Sequence, residues 1–324
     1  MPPISRIAGG IDPLVRLLAL AILLASLLPV TGGYRPIAQA VSNGAIFVLF
    51  LLNGLRLPRA EVLRGMRHAR FLLPLALWSF GAMSLAGWGL ARAGEALLLP
   101  PTVALGLLFL GALPSTVQSA TAYSSLAGGN VAASVVAAAV LNVLGVFLSA
   151  PLFSVLAGSE AAAFDWASLE RIALILLLPF ALGQIAQGRA GHLVRDHKLL
   201  ATWMDRTAIA IAVYVAFSGA VEQGLWQLVG ARDWAALALL VGLFLALGFG
   251  GAWLLGGALR LSRADRIAFL FAGAQKSIAL GAPLAAVLFP PAVAGLLLLP
   301  VLTYHLLQLV ISAPLASRLA TPPR

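Results

Sequence analysis

The sequence predicts an all-α polytopic membrane protein, and three observations lead to this fold class. Of the 324 residues, 61% are hydrophobic and 10% are charged, and the mean hydropathy is +1.00. A soluble domain of this size cannot bury so much apolar surface. Apolar runs of about 17 to 25 residues recur along the chain, which is enough for a helix to cross a hydrocarbon core about 30 Å thick. These runs do not alternate apolar and polar residues as the strands of a membrane barrel do.

Charge and cysteine content exclude several other classes. A net charge of +10 would point to nucleic acid in a soluble protein. Here the arginines fall in short loops, where they act as topology signals, and we expect no nucleic-acid partner. The chain has no cysteine, so it forms no disulfide and no thiolate metal site. The apolar run Leu17–Leu28 lacks a following A-x-A cleavage site and is interpreted as the first span.

The apolar runs predict ten transmembrane helices. Their expected bounds are Pro13–Val30, Ile37–Leu55, Phe71–Ala93, Ala96–Ala127, Asn130–Ala157, Trp166–Gln187, Arg206–Trp226, Trp234–Leu259, Ala264–Pro290 and Pro291–Leu319. The basic segments RLPRAEVLRGMRHAR and GRAGHLVRDHKLL are interpreted as interfacial connectors. With this count, sixteen of the 21 Lys and Arg lie on the side of the N-terminus, four lie on the other side, and Lys276 lies within a span. Both termini are therefore predicted to be cytoplasmic, in a multi-pass protein of the cell inner membrane.

The spans divide into two groups of five within a single membrane transport domain, residues 1–324. Because each half, 13–157 and 166–319, holds an odd number of spans, a structural repeat between the halves must be inverted. The segments GALPST and GAQKS, which begin at Gly111 and Gly273, fall in the fourth span of each half. We therefore expect two inverted five-helix repeats.

The fourth span carries the polar segment LPSTVQSATAYSS. Pro114 removes a backbone donor and clashes with the preceding helical turn, which predicts an interrupted helix. Ser115, Thr116, Ser119 and Thr121 follow it. Hydroxyls at this depth line a cavity or join neighbouring helices, and both interpretations stay open, with a broken helix in a binding role favoured.

The ninth span places Gln275, Lys276 and Ser277 among glycine and proline residues. Lys276 lies ten residues after Arg266, which at ~1.5 Å per residue is about 15 Å, or half the hydrocarbon thickness. Its ammonium must then lie in a cavity, pair with an anion or give up its proton. The alternative is a shifted span in which the amine reaches the lipid headgroups.

No Asp or Glu lies near the middle of any predicted span, so Lys276 lacks a carboxylate at its own depth. A bound anionic substrate could be its counter-ion, or the lysine could carry a proton or stand in for a cation. If the two interrupted helices cross, their half-helix N-termini add positive potential and their C-termini add carbonyl oxygens. This arrangement favours an organic anion with a cation nearby, and we expect the Lys276 Nζ atom within reach of the segment Ser115–Thr121.

The segments LPSTVQSATAYSSLAGGNVAAS and AGAQKSIALGAP resemble the paired signatures of the bile acid:sodium symporter superfamily, in its SBF-like branch of sodium-dependent transporters. The resemblance covers nearly the whole chain in span number and order. It implies that the discontinuous fourth and ninth helices cross in a core domain of spans three to five and eight to ten. Spans one, two, six and seven would form a panel. The implied function is secondary active symport, by alternating access, of a bile-acid-like organic anion or a small carboxylate.

The resemblance also implies positions for two sodium sites. They fall at Ala120, Thr121, Ser134, Ala138, Phe271, Gln275 and Lys276, with Phe271 in place of a glutamate and Lys276 in place of an asparagine. A sodium site at Thr121, Ser134 and Gln275 is therefore one hypothesis. Oxygen sites for hard cations usually carry negative charge. The alternative hypothesis is that Lys276 replaces sodium and that transport is proton-coupled or uncoupled.

The complete predicted substrate or ion site is Ser115, Thr116, Ser119, Thr121, Ser134, Asn142, Gln275, Lys276 and Ser277. Asn142 is interpreted either as a group facing this site or as an interhelical hydrogen-bond partner. His305 is interpreted as a structural histidine in preference to a proton relay. The spans hold no catalytic motif, so we expect no enzyme and no cofactor other than a sodium ion for coupling. A membrane regulator that transports nothing stays open as an alternative to a transporter.

Overall fold

The computed structural model describes residues 12–56, 69–158, 170–171 and 173–320, and these residues form helices without any strand. The predicted all-α class is confirmed. The α-helices of eight or more residues are α1 (Pro13–Leu27), α2 (Arg35–Arg56), α3 (Ala69–Ala76), α4 (Met83–Ala96), α5 (Pro101–Ala112), α6 (Gln118–Leu126), α7 (Val131–Ala157), α8 (Leu178–Asp196), α9 (Lys198–Glu222), α10 (Ala231–Ala258), α11 (Arg263–Ala274), α12 (Ile278–Leu288) and α13 (Pro291–Ala320), and a single helical turn, Leu225–Leu228, lies between α9 and α10. Leu77–Ala82 and Ala173–Leu177 are π-helical turns that lead into α4 and α8.

Eight helical stretches in the described residues are long and apolar enough to cross a membrane. They correspond to the second, third and fifth to tenth predicted spans. The first predicted span forms α1, and the fourth is divided between α5 and α6. Because α1 and α5 are shorter apolar helices of 15 and 12 residues, the count of ten spans stays a prediction, as does the inverted repeat.

The basic segment GRAGHLVRDHKLL, interpreted as an interfacial connector, is helical. Helix α8 continues to Asp196 and α9 begins at Lys198, so that only His197 separates them. Long basic side chains and leucine are good helix formers, and Arg195 in the last turn of α8 favours its C-terminal end. The other basic segment lies largely outside the described residues, as does Trp166, where the sixth span was expected to begin.

The helices pack in two groups that meet along α9. Helices α1, α2, α8 and α9, here called the panel helices, pack mainly on one another, with α2 against α8 and α9 against α1 and α2. The remaining helices, here called the core helices, include α5 against α4 and α13, and α11 against α6, α7 and α10. Helix α9 also packs on α12 and α13. A surface between the two groups thus runs beside the interrupted fourth and ninth segments.

Burial places the ninth segment at the centre of the protein. In the apolar window of Arg263–Leu288, 94% of the residues are buried inside the protein, against 17% in that of Ala173–Asp196. The outer helices present exposed large side chains such as Leu27 and Ile185, which are 67% and 74% exposed. So much exposed apolar surface is costly in water and is expected of helices that face lipid.

Candidate functional site

The fourth segment is interrupted at Leu113–Val117, here called the first break. Pro114 cannot donate a backbone hydrogen bond and disfavours helical geometry in the residue before it. Leu113 is accordingly extended, with φ −75° and ψ 148°. The proline ring packs directly on Gly145 of α7, where a Cβ atom would lie 2.5 Å from Pro114 Cγ. The predicted interruption is present, and Gly145 gives it room to pack.

The ninth segment is interrupted at Gln275–Ser277, here called the second break. It contains no proline. Instead, Ser277 caps α12, because its Oγ atom accepts from the Leu280 N–H at 3.3 Å. The Ser277 N–H donates to the Pro114 carbonyl at 2.8 Å, so a backbone hydrogen bond joins the two breaks directly.

A side chain of α13 replaces the helical hydrogen bonds that the second break loses. Gln308 Oε1 accepts from the Lys276 N–H at 2.8 Å, and Gln308 Nε2 donates to the Lys276 carbonyl at 3.0 Å. An unpaired buried backbone group would be costly, so this amide holds the break in an extended form.

The Lys276 ammonium is buried against the end of α5. The residue is 1% exposed, and Nζ donates to the carbonyls of Leu113 at 2.7 Å, Gly111 at 2.8 Å and Ser79 at 3.1 Å. Three acceptors around the nitrogen match the three hydrogens of an ammonium, whereas a neutral amine has two. Carbonyls at the C-terminal end of a helix lack helical partners and carry partial negative charge. The ammonium is therefore stabilised by a helix end rather than by a carboxylate.

This geometry decides two expectations about Lys276. The alternative in which the amine reaches the lipid headgroups is wrong, because the side chain is enclosed by protein. The expected contact with Ser115–Thr121 is displaced slightly along the chain, since the nitrogen binds Gly111 and Leu113 just before that segment. Helix-end carbonyls are better acceptors for a buried cation than hydroxyls, which also have to donate.

Gln275 accepts hydrogen bonds from hydroxyls in and just after the first break. Its Oε1 atom lies 2.5 Å from both Thr116 Oγ1 and Ser119 Oγ, which are themselves 2.5 Å apart. Its Nε2 atom donates to Ser312 Oγ at 3.2 Å. Three of the predicted site residues therefore meet in one compact group of oxygens that links α6 to the second break.

Two other predicted residues hold the first break in place. Asn142 of α7 donates through Nδ2 to the carbonyls of Ser115 and Ala138, each at 2.8 Å. Ser115 is fully buried. Asn142 therefore makes the interhelical hydrogen bond of one interpretation and, as described below, also lines a cavity as the other interpretation requires.

The residues proposed for sodium are less well assembled. The hydroxyl oxygens of Thr121 and Ser134 are buried and have no hydrogen-bond partner among the described residues, as unfilled cation ligands would be. The Gln275 oxygen, by contrast, is taken by Thr116 and Ser119. Phe271 is fully buried, and its ring packs edge-to-face on Phe249. The position at which the resemblance places a carboxylate is thus part of the apolar core.

A cavity of about 440 Å³ lies between the panel helices on one side and α7 with the end of the first break on the other. Its lining is mostly apolar, with Phe50, Phe180 and Leu280 on different walls, and it includes Gln118 and Asn142. A smaller cavity of about 140 Å³ reaches the second break and is lined by Thr116, Ser119, Asn142, Ser277, Asp205 and His305. Four predicted site residues therefore face open space, whereas Lys276 is not among the described lining residues of either cavity.

His305, interpreted as a structural histidine, is buried and hydrogen-bonded, and it also lies beside this site. Its Nδ1 atom lies 2.9 Å from Gln308 Nε2, and the residue lines the smaller cavity. The Gln308 amide is oriented by its bonds to Lys276, so Nε2 must donate and Nδ1 must accept. The hydrogen-bond network thus assigns the proton of a neutral His305 to Nε2. The sequence showed the polar face of α13 but gave no sign of a cavity beside it.

Two interrupted helices that meet beside a cavity between two groups of helices are the architecture of secondary transporters. The chain belongs to the SBF-like CPA transporter family, which it matches over residues 12–321. The resemblance given by the sequence signatures is therefore confirmed.

Curated relatives agree with this family. The chain is 38% identical to "Uncharacterized protein PA2026" of Pseudomonas aeruginosa, over 92% of this chain and 90% of that protein. It is 35% identical to "Putative symporter YfeH" of Escherichia coli, over 95% and 92%. Similarity extends to "Sodium/bile acid cotransporter 7" of Mus musculus, at 22% identity over 88% and 85%. The bacterial relatives fit a multi-pass protein of the inner membrane.

Proposed function

We propose that this protein is a secondary active transporter that moves an organic anion across the cell inner membrane by alternating access. The core helices, which contain both breaks, would move against the panel helices and expose the site to each side of the membrane in turn. Support comes from the family, from relatives named as a symporter and as a sodium/bile acid cotransporter, and from the two breaks that meet beside a cavity.

The proposed class of substrate is argued from the larger cavity. Arg56, Arg195 and Lys198 line it, and no carboxylate occurs among its described lining residues. The rest of its surface is mainly apolar. A cleft lined by one sign of charge concentrates ligands of the opposite sign. The combination supports an amphipathic anion with an apolar body, such as a bile-acid-like molecule or an apolar carboxylate.

We propose the same architecture as the sequence predicts, with ten membrane segments in one domain and inverted repeats at 13–157 and 166–319. Each half contains one interrupted segment, at Leu113–Val117 and at Gln275–Ser277. Both termini would be cytoplasmic, because basic residues concentrate on that side of the predicted topology. The cavity lined by Arg56, Arg195 and Lys198 would then open toward the cytoplasm.

A second proposal concerns coupling: the Lys276 ammonium occupies the place of a coupling cation. Three carbonyl oxygens around Nζ form the kind of ligand set that a sodium ion would receive at a helix end. Phe271 supplies no negative charge for an additional cation. Transport would then be independent of sodium and either uncoupled or coupled to protons. Sodium at Thr121, Ser134 and Gln275 is the competing hypothesis.

Uptake into proteoliposomes tests both proposals. Purified protein is reconstituted, and initial uptake of labelled cholate is measured with a sodium gradient, with a proton gradient at constant sodium, and with choline in place of sodium. We expect uptake above that of protein-free vesicles, and we expect the same rate in sodium and in choline. Uptake that requires sodium contradicts the role of Lys276. A folded protein that takes up no cholate in any of these conditions contradicts transport of an amphipathic anion. It favours the alternative of a membrane regulator that transports nothing.

A further inference from the structure

Arg56 is the last residue of α2 and lines both cavities. One of its guanidinium nitrogens has no hydrogen-bond partner among the described residues, so it is available to bind an anion. We propose that Arg56 binds the charged head group of the substrate, and that Asp205 is the resident counter-ion that this head group displaces. The proposal rests on the proposed function insofar as the ligand is a transported anion. It identifies where on the panel helices the charge of that anion is recognised.

The ion pair between Arg56 and Asp205 is only half formed. Arg56 Nη1 donates to Asp205 Oδ2, which joins the end of α2 to α9. Arg56 Nη2 and Asp205 Oδ1 are both buried, and neither has a hydrogen-bond partner in the described part of the chain. A guanidinium and a carboxylate in the forked arrangement would use both pairs of atoms. Because a buried donor without a partner is costly, this guanidinium is suited to a second acceptor.

The location of Arg56 matches this role. It lines both the larger and the smaller cavity, and about a third of its side chain, 36%, is exposed. On the larger cavity it stands with Arg195 and Lys198. An anionic head group at Arg56 would leave the apolar body of the ligand against the walls of the larger cavity.

Lys276 is excluded from direct contact with the anion. Its Nζ atom is enclosed, and its three hydrogens are all directed at backbone carbonyls. The expectation that a bound anion serves as the counter-ion of Lys276 is therefore replaced by recognition at Arg56.

Displacement does not leave Asp205 without a neighbouring cation. Arg206 follows it in α9 and attracts its carboxylate electrostatically. The Arg206 guanidinium also lies 3.6 Å from Asp12, and its Nε atom is buried without a partner among the described residues. A carboxylate released by Arg56 can therefore turn toward Arg206. This lowers the free-energy cost of exchanging Asp205 for a substrate anion at Arg56.

The absence of cysteine from the sequence permits a direct test. Ala139 lines the larger cavity, so a single Ala139→Cys substitution places one thiol there. The rates of modification by a sulfonate-bearing and by a trimethylammonium-bearing methanethiosulfonate are measured on the reconstituted protein. Each rate is divided by the rate of the same reagent with free 2-mercaptoethanol. The ratio of the two corrected rates reports how strongly the cavity prefers an anion.

The proposal predicts a ratio above one that falls about tenfold in Arg56→Gln and rises several-fold in Asp205→Asn, because a unit charge acts with opposite sign on the two reagents. Arg92→Gln, which removes an exposed arginine paired with Glu95, is the control and should leave the ratio within about twofold. All variants carry Ala139→Cys, and the double variant Arg56→Gln/Asp205→Asn should give a ratio below that of Ala139→Cys alone. A double variant that returns to the ratio of Ala139→Cys alone would mean that the pair acts as one neutral unit, and would overturn the proposal, as would an unchanged ratio in Arg56→Gln.

These results separate the two proposals. A preference for the anionic reagent that depends on Arg56, in a protein that transports no cholate, keeps the anion site and contradicts the proposed function. Uptake of cholate together with a ratio that is unchanged in Arg56→Gln supports the proposed function and contradicts the anion site at Arg56. If Arg56→Gln fails to fold, the expected rise in Asp205→Asn still decides, because an unchanged or lower ratio there contradicts displacement.

Discussion

The two helix breaks differ in how their backbone groups are satisfied. The first break contains Pro114, and the carbonyl of its first residue, Leu113, accepts from the Lys276 ammonium, as does the carbonyl of Gly111 in the last turn of α5. Its last residue, Val117, and the first residue of α6, Gln118, are exposed to the larger cavity. The second break has no proline and is closed by side chains of the protein itself. The first break thus lines both cavities, whereas the second break is held mainly by side chains of the protein and meets the smaller cavity at Ser277.

Removing the Lys276 ammonium should have the largest effect on this arrangement. In Lys276→Met the carbonyls of Ser79, Gly111 and Leu113 lose their donor. Each buried acceptor without a partner costs about 1–3 kcal/mol. We therefore expect the free energy of unfolding to fall by several kcal/mol, which is measured by thermal unfolding of the detergent-solubilised protein. Leu296→Met, another buried change to methionine on α13, is the control. A melting temperature equal to that of the control would show that the lysine does not join the breaks.

Breaking the Gln308 amide clamp should have a smaller effect, confined to the second break. Gln308→Leu leaves the N–H and carbonyl of Lys276 unpaired and frees His305 Nδ1. We expect a loss of about 2–4 kcal/mol in the free energy of unfolding. Gln308→Glu keeps the acceptor for the Lys276 N–H and should recover part of it. Equal stability of the two variants would argue against the clamp.

Two threonines, one in the first break and one in α6, provide the smallest and most selective comparison. Thr116→Val removes a hydrogen bond to Gln275 and should cost about 1 kcal/mol. Thr121→Val replaces an oxygen that has no partner in the described structure, so stability should stay the same or rise slightly. Cholate uptake by Thr121→Val should also be unchanged. Sodium-driven uptake that is lost in Thr121→Val alone would instead support the sodium site at Thr121, Ser134 and Gln275.

The sequence predicted those features that depend on side-chain type and spacing. Hydropathy gave the all-α membrane class, Pro114 gave the first break, and the distance from Arg266 placed Lys276 deep in the protein. The partners of the ammonium could not be predicted, because backbone carbonyls occur at every residue and leave no mark in a sequence.

Other site features depend on contacts that no local pattern carries. Arg56 and Asp205 are 149 residues apart, and Arg56 was counted only as a topology charge. An interfacial connector was predicted at the basic segment between the sixth and seventh spans, but the continuation of α8 and α9 through it was not. The Leu, Arg and Lys residues of that segment are good helix formers.

Binding of ²²Na⁺ to the purified protein, measured by scintillation proximity, tests most directly whether the Lys276 ammonium takes the place of a coupling cation. The wild type is expected to show no saturable sodium binding, because its cation is part of the chain. The variant Phe271→Glu/Lys276→Asn, which restores the two residues that the resemblance implies, should gain it. Saturable binding by the wild type that persists in Lys276→Met would contradict the account.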